Sequence, residues 1–384
     1  MTNDSLFFNK NSDEQDPMDD NDKYIILTRT IFCGISSFCC LILIIIYIIY
    51  CLQVKYNLLT KKVEKEESNN LLDTETSSDE CKKSDDNKNE KKIGLGSNFM
   101  FFLTISNFFS AIFEFPFYFY YMNVINNNEK KTDIEKFKEI NDDPNCLLFG
   151  FAHNFFDLAA VCWTTMLTLL FYSSTNLSNK MLYDDNKYLF IGFIFTIVSC
   201  VILCFIPVFT GSYGFARYYC SFRYNEADEN EIKDELLINT LWRYSYIFVT
   251  FINSLFNVIW LFRTNIFYSK KLEIIKKQNK REYKLMLIYV WVFRIFPIVL
   301  VVSRIFKGLS RIIIDKFKLG HSFFGSFIEY INAFLFASNG IFNSIACMFF
   351  FRGVFWCCYN NIESENEAKQ PSNMDFISED MNEE

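Results

Sequence analysis

Six polar side chains lie inside long runs of apolar residues, where they are candidates for binding or switching chemistry. They are Glu114, His153, Asp157, Arg294, Glu329 and Asn332. A charged side chain at the centre of a bilayer costs at least about 2.5–3.5 kcal/mol on insertion scales, so such residues face a bundle interior and find partners there. We expect the ionisable members of this set to contact a polar ligand or to form a switch. Simple hydrogen bonding between helices is the alternative.

Asp157 and Arg294 are expected to lie at similar depths. At a rise of about 1.5 Å per residue, Asp157 lies roughly 16 Å from the outer end of its helix, and Arg294 roughly 18 Å from the outer end of its own. The sequence therefore predicts an ion pair between them. His153 precedes Asp157 by four residues and shares its helix face. Glu114 is a second candidate partner for Arg294 or His153.

The last apolar segment carries a polar face. Its members are spaced three and four residues apart and are Glu329, Asn332, Phe336, Asn339 and Asn343. Lipid cannot satisfy the polar groups of such a face, so it is predicted to look into the bundle. For the asparagines we favour interhelical hydrogen bonding, which contributes only about 0.6 kcal/mol on average.

No arrangement of residues suggests catalysis. The chain has two His, and it shows no metal-binding His cluster, nucleophile motif or phosphate-binding loop. We therefore expect a protein that is not an enzyme and that needs no cofactor or metal. Nucleic acid is not an expected partner either, because basic residues are confined to short loops next to the apolar runs.

The elements that would position these side chains are membrane-spanning helices. The chain has 384 residues, of which 51% are apolar and 46 are Phe. Seven segments approach the roughly 20 apolar residues that a span requires. They are Tyr24–Leu52, Phe99–Met122, Leu147–Tyr172, Tyr188–Phe209, Thr240–Phe262, Leu285–Phe306 and Phe323–Phe351. The predicted fold is an all-α integral membrane protein, a bundle of seven transmembrane helices.

Charge distribution predicts the orientation and the domain boundaries. Residues 1–23 form an acidic extracellular tail, 24–352 the bundle, and 353–384 an acidic cytosolic tail. The polar stretch Glu64–Lys92 is predicted to be a disordered cytosolic insert. Basic residues concentrate in the loops after the first and fifth segments, which places the N-terminus outside and the C-terminus in the cytosol.

One loop opposes that orientation. It precedes the seventh segment, lies on the predicted outer side, and carries Lys307, Arg311, Lys316 and Lys318. We give the earlier loops more weight, because early helices usually dominate topology. The basic loop would then serve the outer surface or an anionic ligand.

Two pairs of cysteines have predicted roles. In this topology, only Cys146 and Cys220 of the 13 Cys lie on the outer side. Extracellular thiols are usually oxidised, so these two are a candidate disulfide; two free thiols are the alternative. Cys357 and Cys358 follow the last segment just inside the membrane, where palmitoylation is the candidate modification. Unmodified cytosolic thiols are equally compatible with that position.

Several short motifs resemble one receptor family. The third segment contains Gly150-Phe151, paired Phe and Trp163-Thr164; the loop from Gly211 to Cys220 contains Tyr-Gly; and later segments read Ser303-Arg304-Ile305 and Asn339-Gly340 with Asn343. In this order they resemble the cyclic-AMP-receptor-like G-protein-coupled receptors, the slime-mould chemoattractant type. The resemblance covers the second to seventh segments.

The motifs also depart from that family. Asn107 stands where the family usually has a carboxylate, and Phe171-Tyr172-Ser173 stands where other receptors have Asp-Arg-Tyr. The resemblance implies a serpentine receptor in the plasma membrane, with an extracellular small-molecule or peptide ligand and a heterotrimeric G protein or another cytosolic transducer. A channel or transporter with a polar path through the bundle is the alternative, although neither an internal repeat nor abundant Gly and Pro supports it. A membrane scaffold is a third reading.

Overall fold

The chain forms an all-α membrane bundle, as predicted. The computed structural model describes residues 20–72, 95–116, 119–120, 122–123, 143–176, 185–215, 219–222, 233–278, 287, 302–303, 306–308 and 323–348. In these parts of the chain, six helices are long and apolar enough to cross a membrane. The sixth predicted segment lies mostly outside the described residues. The side of the membrane on which each end lies stays a prediction.

Helix α1 runs from Asp20 to Leu72 and is far longer than its predicted apolar segment. Residues 64–72 are therefore helical, whereas their composition placed them in a disordered insert. That expectation was wrong for these residues because Lys, Glu and Leu have high helix propensity and continue a helix that is already nucleated.

Helix α2 (Leu95–Glu114) ends earlier than its predicted segment. Pro116 has no backbone N–H and its ring disfavours a continuing helix, and a turn at residues 115–116 follows the helix. This termination places Glu114 at the last turn of α2, where its side chain reaches towards α1 and the helix that follows α2.

Helix α3 (Pro144–Asn176) begins at a capped N-terminus. The Asp143 carboxylate accepts a hydrogen bond from the Asn145 backbone N–H at 2.7 Å, and Pro144 occupies the first position, where no N–H is needed. Helix α3 is the central element, since it packs against α2, against the next two helices and against a small hairpin.

The remaining elements complete the bundle. Helix α4 (Asp185–Cys200) continues through a π-helical turn at Val201–Phe205 and a last turn at Ile206–Phe209. Strands β1 (Tyr213–Phe215) and β2 (Cys220–Phe222) form an antiparallel hairpin in which Gly214 faces Ser221. Helices α5 (Lys233–Gln278) and α6 (Phe323–Ala337) follow. After a turn at Ser338, residues 339–348 are again helical.

Aromatic side chains fill the core between α2, α3 and α4. The Phe102 ring stacks on Trp163 with centroids 5.0 Å apart, and Phe193 meets Trp163 edge to face, also at 5.0 Å. The outward faces of α1 and α4 expose large apolar residues such as Phe38 and Phe190. An apolar outer surface around a partly polar interior is the arrangement that a bilayer favours.

Candidate functional site

Glu114 forms an ion pair with Arg29 of α1 deep in the bundle. The side chains of these residues are only 5% and 4% exposed, respectively. The Arg29 guanidinium also lies over the ring of Tyr219, 3.7 Å from its centroid, a cation–π contact. Tyr219 directly precedes β2, so Arg29 joins helices α1 and α2 to the hairpin.

His153 extends this group onto α3. Its Nδ1 lies 3.6 Å from Glu114 Oε2 and 3.1 Å from the Ser110 carbonyl oxygen. A carbonyl oxygen only accepts, so Nδ1 carries the proton in that contact. The Cys33 thiol donates to Glu114 Oε2 at 3.3 Å. We call Arg29, Glu114, His153 and Tyr219 the Arg29 cluster.

A second cluster forms around Asp157. Its Oδ2 accepts hydrogen bonds from the Tyr246 hydroxyl at 2.8 Å and from Lys307 Nζ at 3.2 Å. Lys307 Nζ also lies 5.2 Å from the centre of the Tyr246 ring. We call Asp157, Tyr246 and Lys307 the Asp157 cluster; it connects α3, α5 and the helical residues 306–308.

The position of Lys307 corrects the sequence prediction. Lys307 was assigned to an outer loop, but it is 5% exposed and pairs with Asp157. A lysine carries its ammonium on a flexible four-carbon stem, so it can reach a carboxylate deeper than its own backbone. Arg294 lies outside the described residues, and the Asp157–Arg294 pair stays a prediction.

The hairpin of β1 and β2 covers one end of the bundle, above both clusters. We call this end of the bundle the hairpin end. A disulfide joins Cys146, at the start of α3, to Cys220 of β2. The Asn154 side chain donates to Ser221 Oγ at 2.9 Å. A Cβ on Gly150 would lie 3.0 Å from the backbone of Cys220 and Ser221. Only a glycine at that position lets the strand approach α3 so closely.

Tyr213 fixes the first strand of the hairpin. Its hydroxyl donates to the Cys204 carbonyl oxygen at 3.1 Å, inside the π-helical turn. Burial raises the pKa of Tyr213 well above its ordinary value, so the hydroxyl keeps its proton and this bond at physiological pH. The hairpin is thus attached to α4 as well as to α3.

A polar cavity lies between α1, α2, α3 and the helix end after α6. It holds about 270 Å³ of empty space, part of which is open to the surroundings. It is lined by Cys33, Ser36, Asn107, Ser110, Ala111, Glu114, Asp157, Ala337, Asn339 and Gly340. A Cβ on Gly340 would overlap Ser36 Oγ, so this glycine allows the two helices to meet at the cavity. Both carboxylates, one from each cluster, face the same space.

Asn339 supplies an unused acceptor in this cavity. Asn339 is 8% exposed, and its Oδ1 has no hydrogen-bond partner among the described residues. A buried polar atom without a partner is costly, on the order of 1–3 kcal/mol, and calls for a water or a ligand group.

Glu329 and Asn332 lie on α6, away from these contacts. They are 3% and 2% exposed, and Glu329 Oε1 and Asn332 Oδ1 have no hydrogen-bond partner among the described residues. The predicted polar face of the seventh segment is therefore buried. Asn257 of α5 makes an interhelical contact, because its side chain donates to Thr165 Oγ1 at 3.1 Å.

Sequence reasoning gave Arg29 no role and placed Lys307 in a loop rather than at an ion pair. Arg29 is the only charged residue between Lys23 and Lys55, so the signal was present. Its closeness to the start of the first apolar run made it resemble a flanking residue.

The palmitoylation candidates Cys357 and Cys358 lie outside the described residues.

No family model matches the chain, and no curated protein matches it. The crystal structure of squid rhodopsin is similar at 16% sequence identity and a TM-score of 0.43, over 93% of each chain. At this level the likeness does not bear on what the chain binds or does, and the resemblance to the cyclic-AMP-receptor-like family stays a prediction.

Proposed function

We propose that this protein is a serpentine receptor of the G-protein-coupled type, with no chemistry of its own. The hairpin end faces the outside, a polar ligand binds among the buried clusters, and the basic helix ends face the cytosol. One observation carries the proposal: the carboxylates of two buried ion pairs line one polar cavity beneath a disulfide-linked hairpin.

Helix α5 links the clusters to the opposite end of the molecule. Its apolar span is Leu237–Phe267, but the helix continues to Gln278. Tyr246, which holds Asp157, and Lys276 are on the same helix, about 45 Å apart at 1.5 Å per residue. A ligand that favours one arrangement of the Asp157 cluster would shift α5, and its basic end would present the change to a transducer.

The test uses purified full-length protein in lipid nanodiscs. A receptor that couples to heterotrimeric G protein accelerates nucleotide exchange above the rate with empty nanodiscs. Because both ion pairs would restrain the inactive arrangement, Asp157→Asn should change this basal rate, whereas the exposed Arg263→Gln should not. Ion current or solute flux through the protein in liposomes, without any effect on exchange, would support a channel or transporter instead.

A further inference from the structure

We infer that the cavity binds the ammonium group of a small zwitterion, an amino-acid-like ligand whose carboxylate is taken by Arg29. The inference deepens the proposed receptor function and rests on it for its biological meaning. It follows from the charges of the cavity wall, from the charge balance of the interior and from the position of Arg29.

The cavity wall offers acceptors. Of its described lining residues, Glu114 and Asp157 are carboxylates, Asn339 Oδ1 is a buried acceptor without a partner, and none is Lys, Arg or His. A group that donates several hydrogen bonds and is positively charged fits this wall. An ammonium has three donors and no acceptor.

At the two clusters, a simple cation would add a charge that no described residue of those clusters balances. Glu114 is already paired with Arg29 and Asp157 with Lys307. An added buried charge without a counter-ion costs several kcal/mol in a low-dielectric interior. A ligand that carries its own anion adds no net charge, so a zwitterion avoids this cost.

Arg29 is placed to receive that anion. It lies between Glu114, which lines the cavity, and the Tyr219 ring at the hairpin end. Guanidinium groups bind carboxylates with two parallel hydrogen bonds. The ligand carboxylate would replace Glu114 on Arg29, and the ligand ammonium would replace Arg29 on Glu114. One intramolecular ion pair is exchanged for two ion pairs with the ligand.

The size of the cavity and its neighbours limit the ligand. The cavity is small in this structure, so it admits only a small molecule, and only as Arg29 and Glu114 separate to receive it. The exchange would also change the contact between Arg29 and Tyr219. Since Tyr219 adjoins the disulfide-linked strand β2, ligand binding would be transmitted to the hairpin.

The test measures the thermal unfolding of the full chain in nanodiscs. The probes are glycine, alanine and serine, each beside its amide, which is only a cation, and its N-acetyl derivative, which is only an anion. We expect at least one amino acid to raise the unfolding midpoint by about 2 °C or more at saturation, while its two derivatives do not. Stabilisation by an amide or by an N-acetyl derivative alone, or by no probe, overturns the inference.

Variants locate the effect. Arg29→Gln should abolish the shift and Arg29→Lys should keep part of it, whereas Arg263→Gln, at an exposed position, should keep all of it. If Arg29→Gln does not fold, the probe series on the unchanged protein still decides. Nucleotide exchange on the G protein, measured in the same nanodiscs, separates the two proposals. Binding of an amino acid without any acceleration of nucleotide exchange refutes the receptor function. Acceleration of nucleotide exchange without amino-acid binding refutes the ligand assignment.

Discussion

The Asp157–Lys307 pair gives a quantitative prediction. Both side chains are about 5–6% exposed, and Nζ and Oδ2 are 3.2 Å apart. Asp157→Asn leaves a buried ammonium without its counter-ion, which costs about 3–5 kcal/mol of unfolding free energy. Deprotonation does not avoid this cost, because a lysine with an ordinary pKa of about 10.4 releases its proton at pH 7 only for about 4.6 kcal/mol.

The double variant Asp157→Asn/Lys307→Met should lose far less than the sum of the two single variants. It removes both charges together, and the Tyr246 hydroxyl keeps the Asn154 carbonyl oxygen as an acceptor at 3.1 Å. We expect a coupling energy of about 2–4 kcal/mol, well above the ~0.5 kcal/mol scatter of independent sites.

The assay is denaturant unfolding in mixed micelles. Buried free thiols such as Cys162, Cys204 and Cys347 react with a fluorogenic maleimide only after unfolding. The control combines Lys307→Met with Asn257→Leu, since Asn257 lies about 16 Å from Tyr246 along α5, and this pair should be additive. Additivity of Asp157→Asn with Lys307→Met within about 0.5 kcal/mol would refute the ion pair.

Three further predictions concern the hairpin and the topology. Gly150→Ala should destabilise the protein by about 1–3 kcal/mol, because its Cβ would meet the hairpin backbone at 3.0 Å. Gly308→Ala should be nearly neutral, because its Cβ would meet only a methyl group of Ile247, at 3.7 Å; equal thermal shifts would contradict the close approach. A reductant should lower the unfolding midpoint of the unchanged protein but not of Cys220→Ser, since the disulfide closes a loop across 74 residues and such a loop contributes up to about 4 kcal/mol. In sealed vesicles with the hairpin outside, an epitope inserted into residues 73–92 should be protected from protease. Cleavage of the epitope would place this loop on the same side as the hairpin and contradict the predicted topology.

The sequence alone located six of the seven predicted spans and several of the buried polar residues. Whether a segment can span a bilayer depends on its own length and hydropathy, so the helices could be located without knowledge of their packing. The same reasoning selected Glu114, His153 and Asp157, because charges in such runs must face inward. Helix ends were less predictable, since the polar extension of α1 to Leu72 and the early end of α2 near Pro116 follow from helix propensity and backbone chemistry rather than from hydropathy.

Only the tertiary structure decided which charges meet. Depth along a straight helix favoured Arg294 as a partner of Asp157, and that pair stays a prediction. The structure adds a partner that depth did not suggest, the ammonium of Lys307, whose long stem reaches inward from the helix end. Arg29 had no assigned role until the hairpin placed Tyr219 against it and α2 ended with Glu114 beside it. Hydropathy reports how deep a residue lies along its own helix. Helix rotation, side-chain reach and the approach of a distant strand determine its partners, and these depend on the packing of the whole bundle.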